Sequence, residues 1–221
     1  MWSSVTEEVL RETVAVRLLD YSRETGGVDF EKKITRNNLD TIIAHLKGQS
    51  EKKGIFGGKK RIIHCANGVL RLQANGGAVF TDFSVDDYSR NQSPIAYTQE
   101  AECPRFHKEL LLSSMDKEDV LLVQKWMGLA LLGDNAPQKF IILDGQSLGG
   151  KSTLIRVIKS IVGSENVEQL RPQHLGERFE LYRFIGKTVL IGSDVNSKFL
   201  QERNAYVIKS LVGGDPLSGE G

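Results

Sequence analysis

The sequence predicts an α/β chain whose C-terminal part is built on a parallel sheet and whose N-terminal part is a mainly helical α+β segment. Three observations carry this reading. Residues 139–163 run as an apolar strand, a glycine-rich turn and an amphipathic helix in direct succession. Residues 187–195 (KTVLIGSDV) form a second apolar run that ends in an acid. Upstream of both, helical periodicities and a hairpin signal alternate with Gly and Pro breaks.

Taken in order, Ser4-x-x-Glu7 has the pattern of a capping box, and Val9, Leu10, Val14, Leu18 and Leu19 follow helical spacing until Gly26-Gly27 breaks it. A second helix is expected from about Asn38, with Leu39, Ile42, Ile43 and Leu46 on one face and Gly48 as its stop; Arg36 falls in the solvated turn before it. Residues 51–61 (EKKGIFGGKKR) form a Gly-rich basic stretch in which Lys52, Lys53, Lys59, Lys60 and Arg61 flank Phe56. A solvated turn is the favoured reading of that stretch, ahead of a nucleic-acid contact. Residues 61–72 read as two short strands around Asn67-Gly68, a strong hairpin signal. Residues 73–105 carry Gly76-Gly77, Pro94 and Pro104 and read as a linker, which divides the chain into a segment 1–105 and a core 106–221. A further helix is expected at Asp119–Leu132, with Trp126 and Met127 as core residues.

Composition is that of an ordinary globular chain. Hydrophobic residues make up 40% and charged residues 26% of the 221, and the net charge is +1. No apolar stretch reaches the roughly 20 residues of a membrane helix, and the N-terminus lacks the basic and apolar regions of a signal peptide. An intracellular chain with no membrane partner is expected. Cys65 and Cys103, the two cysteines, lie far apart and form no CxxC pair. Two isolated thiols are therefore favoured over a zinc site assembled with His64 and His107. His45, His64, His107 and His174 have no spacing that points to catalysis.

The chemistry is concentrated at Gly145-Gln146-Ser147-Leu148-Gly149-Gly150-Lys151-Ser152, which matches GxxxxGK[ST] at every fixed position. The apolar run Phe140–Leu143 precedes it. Leu154, Ile155, Val157, Ile158, Ile161 and Val162 follow on an amphipathic helix stopped by Gly163. This context turns a pattern into a phosphate-binding loop, the P-loop. Glycines let backbone N–H groups converge on a phosphate, and the helix that starts there adds the positive end of its dipole. Lys151 is then placed for the β- and γ-phosphates, Ser152 for Mg2+, and Thr153 for the α-phosphate of a nucleoside triphosphate such as ATP. The strand Thr188–Ser193 followed by Asp194 suits a Walker B element, with Asp194 orienting hydrated Mg2+. Val195 follows it, so no second acid stands alongside to activate water. Lys209–Leu217 (KSLVGGDPL) reads locally as a helix ending in a turn.

GQSLGGKST, GKTVLIGSDV and KSLVGGDPL, in this order, resemble the superfamily 3 helicase domain of phage and plasmid primase-helicases. The resemblance extends upstream through NGVLRL (67–72), AECPRFHKELL (101–111) and WMGLALLGD (126–134) to the segment shared with poxvirus helicase-primases. It implies a P-loop NTPase of the modified AAA+ type, forming a ring, usually a hexamer, around single-stranded or forked DNA in the cytoplasm of a bacterial host. It implies an ATP hydrolase and DNA helicase with ATP and Mg2+ as cofactors, and catalytic roles for Lys151 and Asp194. The Lys209–Asp215 stretch, with Lys209 and Asp215 in it, would enter the family's DNA-contacting loop.

Measured against that family, the chain ends at Gly221 inside the loop motif, before the polar sensor residue and the arginine that completes a neighbour's site, and no primase domain precedes it. An incomplete sheet is therefore expected, with marginal stability or self-association. Nucleotide binding is expected with full unwinding dependent on further motifs, since loss of an arginine finger costs roughly 10³–10⁵ in rate. The competing readings are a non-catalytic ATP- and DNA-binding module and a small-molecule P-loop kinase. The kinase is disfavoured by the scattered arginines.

Overall fold

The computed structural model describes residues 4–26, 30, 33–52, 55–56, 61–89, 91–193, 195, 198–201 and 203–218. It is a mixed α/β structure in two compact units, residues 2–58 and 59–221.

In the first unit α1 spans Glu7–Thr25 and α2 spans Arg36–Ser50. Thr6, rather than Ser4, caps α1 by accepting the Val9 N–H, and Gly26 closes it at φ +56°. Thr35 caps α2 through the Asn38 N–H, so the helix starts before the apolar periodicity does. Arg36 thereby enters its first turn, and the helix runs through Gly48 to Ser50. Leu39 and Ile43 are its buried residues, whereas Leu46 is exposed. The unit is tied by charge as much as by apolar contact: Arg11 meets Asp40 at 2.5 Å and Glu7 at 3.2 Å, and Lys47 meets Glu7 at 2.7 Å.

In the second unit β1 (Ile62–Cys65) and β2 (Gly68–Leu72) form the expected hairpin, with Cys65 opposite Gly68. The two-residue connection is Ala66-Asn67, and Asn67 fixes it by exchanging hydrogen bonds with the Tyr97 backbone. β3 (Ala78–Thr81) adds an antiparallel third strand, Phe80 opposite Leu70, where the sequence predicts irregular chain. Nor do residues 73–105 run as a bare linker. The Ser93 hydroxyl donates to the Ile161 carbonyl, Asn166 Nδ2 donates to the Gln92 carbonyl, and the Ala66 N–H donates to the Ile95 carbonyl. These bonds join the sheet to the helical layer, which is why the compact unit begins near residue 59 instead of 106.

α3 (Lys117–Leu132) is capped by Asp116, which accepts the N–H groups of Glu118 and Asp119, and is stopped by Gly133 at φ +65°. α4 (Lys151–Val162) ends at Gly163. β4 (Val167–Gln169) and β5 (Val189–Ile191) pair in parallel with Val167 opposite Val189. α5 spans Ala205–Gly213. One core joins Val120, Val123 and Ala130 of α3 to Leu154, Ile158 and Val162 of α4 and Val189 of β5, with Trp126 and Met127 packed on it as expected. A second, smaller core centres on Val207 and Ile208 of α5 with Leu175.

The expected buried strand at Phe140–Leu143 is corrected by the structure. The segment enters no ladder among the described residues. It keeps a period of two: Ile141 and Leu143 are half-buried, while Phe140 and Ile142 are 44% and 62% exposed. The parallel sheet is thus a single pair of strands. Among the described residues no helix is long and apolar enough to cross a membrane.

Candidate functional site

The site is built where the Phe140–Leu143 segment meets α4. Asn135 and Gln138 fix the entry: Asn135 Oδ1 accepts the Lys139 N–H at 3.1 Å, and the Gln138 N–H donates to the Asn135 carbonyl. Gln138 Nε2 also donates to the Gly213 carbonyl at 2.9 Å and Asn135 Nδ2 to the Val212 carbonyl at 3.3 Å, so the last turn of α5 is tied to the chain entering the loop. Leu143 packs on the main core and anchors the near side of the loop.

From Gly145 the backbone turns through conformations that side chains disfavour: φ is +146° at Gly145, +64° at Leu148 and +81° at Gly150. Leu148 is a non-glycine residue in the left-handed region with its side chain fully exposed. Strained backbone of this kind collects at ligand-binding loops. The Gly149 N–H donates to the Gln146 carbonyl, which tightens the turn. Gly150 is the N-cap of α4 and supplies no side chain to it, and among the described residues no side-chain cap bond is made there. The first N–H groups of the helix are therefore left for an external acceptor at the positive end of the dipole.

Lys151 Nζ folds back over the loop and donates to the Gly145 and Gln146 carbonyls at 2.7 Å each. The ammonium has three donors, so one remains, and an anion seated in the loop would face the lysine and the helix N-terminus together. Ser152 is exposed and Thr153 half-buried in the same turn, with the Thr153 hydroxyl accepting from Arg156. The loop residues Gly145, Gln146, Ser147, Leu148, Gly149, Gly150, Lys151, Ser152 and Thr153 thus form one turn leading into a helix start. Its donor set fits a phosphate chain.

Of the expected strand Thr188–Ser193, β5 forms Val189–Ile191, and Asp194 lies outside the described residues; Val189 is buried and Thr188 bonds the Asn166 carbonyl. Lys209 is exposed on α5, and Asp215 is exposed just past its cap, where its N–H donates to the Ser210 carbonyl. The local reading of this stretch as a helix ending in a turn holds, with Gly214 left-handed at the C-cap. Of the basic stretch 51–61, Lys53, Lys59 and Lys60 lie outside the described residues. Among the described residues no group of His, Cys, Asp and Glu is arranged to hold a metal.

Two features had no counterpart in the sequence reading. A π-helical turn at Phe106–Leu111 brings Leu110 and Ser114 against the glycine loop. Below the smaller core, Glu180, with its side chain 1% exposed, accepts from both Arg171 and Arg183, and Arg183 also reaches Glu168. The Arg171 hydrogen bond holds the Glu180 carboxyl below the usual carboxylate range, Arg183 adds to that effect, and burial opposes it. The spacing Arg171, Glu180, Arg183 was the only sequence signal for this network.

Residues 143–221 match the model of a family described as a family of unknown function (DUF5906). The matched region begins at the last apolar residue before the loop and takes in the loop, α4, the parallel strands and α5. No curated protein matches the chain.

Proposed function

We propose that this chain is the ATP-binding part of a ring-forming DNA replication helicase of the superfamily 3 type. The observation that carries the reading is the Gly145–Ser152 turn. Strained backbone, an uncapped helix start and a lysine folded over the loop converge on one point, and a polyphosphate is the ligand with matching charge. In this reading the α4 N-terminus and the loop amides hold the β-phosphate. Lys151 exchanges its two loop carbonyls for phosphate oxygens, and the Ser152 hydroxyl with Asp194 would hold Mg2+. Bound Mg2+ supplies neutralisation of charge on the β- and γ-oxygens. The α5 end, bonded to Asn135 and Gln138, offers a physical connection between the proposed DNA-contacting stretch (Lys209, Asp215) and the entry to the loop.

The test is ATP hydrolysis with and without single-stranded DNA. The proposal expects hydrolysis that DNA stimulates and that Lys151→Ala abolishes. Binding of ATP with no hydrolysis at any protein concentration would replace it with the non-catalytic module. Phosphate transfer to a small molecule would replace it with a kinase.

A further inference from the structure

The glycine loop has a back wall that none of its own residues supplies. A Cβ placed on Gly150 would stand 3.1 Å from Leu110 Cδ1 and 3.7 Å from Ser114 Oγ, so these side chains close the space behind the loop where it turns into α4. Both belong to the chain around the π-helical turn Phe106–Leu111, where the Leu112 N–H reaches back five residues to the His107 carbonyl at 3.0 Å. In an α-helix residues five apart diverge around the axis; the wider π turn brings them back to one side. Phe106 and Leu111, five apart, both pack on the main core, and Leu111 is 2% exposed. With these two anchored, Leu110 is left with a half-buried side chain standing where a Gly150 side chain would project. Single π turns are costly and recur at functional sites.

We propose that Leu110 is a positioning residue for the phosphate loop. Its isobutyl group backs Gly150, which stands at φ +81°, and so fixes the angle at which the first N–H groups of α4 meet the ligand. The residue touches no phosphate itself. This inference rests on the reading of Gly145–Ser152 as a triphosphate site. Its content is that the shape of the loop is set from outside, by a segment lying before α3 in the chain.

The test uses the whole chain and two probes, MgATP and inorganic triphosphate, titrated by calorimetry. Leu110→Ala is expected to weaken both by about tenfold or more, as loss of a supporting side chain does at preorganised sites, and Leu110→Met is expected to restore most of the affinity. Val120→Ala, which opens a cavity in the main core, serves as the control: its melt falls at least as far as that of Leu110→Ala, yet its affinity stays at the wild-type value. If wild type binds neither probe, the triphosphate reading itself fails. If wild type binds and Leu110→Ala binds equally well, or if Val120→Ala loses as much affinity, Leu110 has no positioning role.

Discussion

Gly68 and Glu180 illustrate how single residues constrain this molecule. A Cβ on Gly68 would fall 2.6 Å from Phe80 Cζ and 2.7 Å from the Thr81 carbonyl oxygen, both in the neighbouring strand β3. Gly68→Ala is therefore expected to cost about 3 kcal/mol through forced displacement of β3, read as a lower midpoint in urea. Glu180 acts electrostatically. Its native carboxyl titrates below the ordinary value of 4.5 because Arg171 and Arg183 hold the charged form. It contributes stability that is complete above the unfolded value and is lost as pH falls through the lowered native one. Melts between about pH 3 and pH 7 should show that loss in the wild type, with a shallower slope in Glu180→Gln. At neutral pH the variant should be less stable by roughly 3 kcal/mol, the low end for breaking a buried pair, since both guanidiniums remain a third exposed.

At the scale of elements, the segment before the loop separates pattern from partnership. Phe140–Leu143 has the alternation and apolar content of a buried strand, and those are properties of the chain itself. A ladder also needs a neighbour, which no local pattern can report, and none of the described strands pairs with it. Amide exchange at Ile141–Leu143 is expected to be fast beside that at Leu190 in β5; equal protection would show that the segment is paired in solution. Where periodicity is strong locally, the reading was sound: the helix expected at Asp119–Leu132 forms as α3, begun two residues earlier behind the Asp116 cap, and Gly163 ends α4 behind Leu154, Ile158 and Val162. β3 escaped notice because Ala78–Thr81 is short and follows Gly76-Gly77. The π turn escaped because Phe-His-Lys-Glu-Leu-Leu has no local preference for it, and its register follows from Phe106 and Leu111 sharing one core. The glycine loop was legible because its glycines and Lys151 lie in one continuous stretch of sequence, whereas Leu110 and Ser114, which stand behind it, come from elsewhere in the chain.

For the whole molecule, the chain divides near residue 58 into a helix pair joined by ion pairs as well as by apolar contact and a unit with two apolar cores. Salt at molar concentration screens exposed pairs strongly, so the helicity of residues 7–50 should fall with ionic strength while the spectrum of the half-buried, core-packed Trp126 and Phe106 in the 59–221 unit stays unchanged. A parallel loss of both signals would contradict the separate origins of their stability. The central claim concerns one turn in the larger unit, and the measurement that tests it most directly is a calorimetric titration of the intact chain with MgATP, repeated on Lys151→Ala. The account predicts saturable one-to-one binding by the wild type and affinity weakened by about a hundredfold or more in the variant, the worth of a strong charge-assisted contact. Equal binding by the two proteins, or none by the wild type, would contradict it.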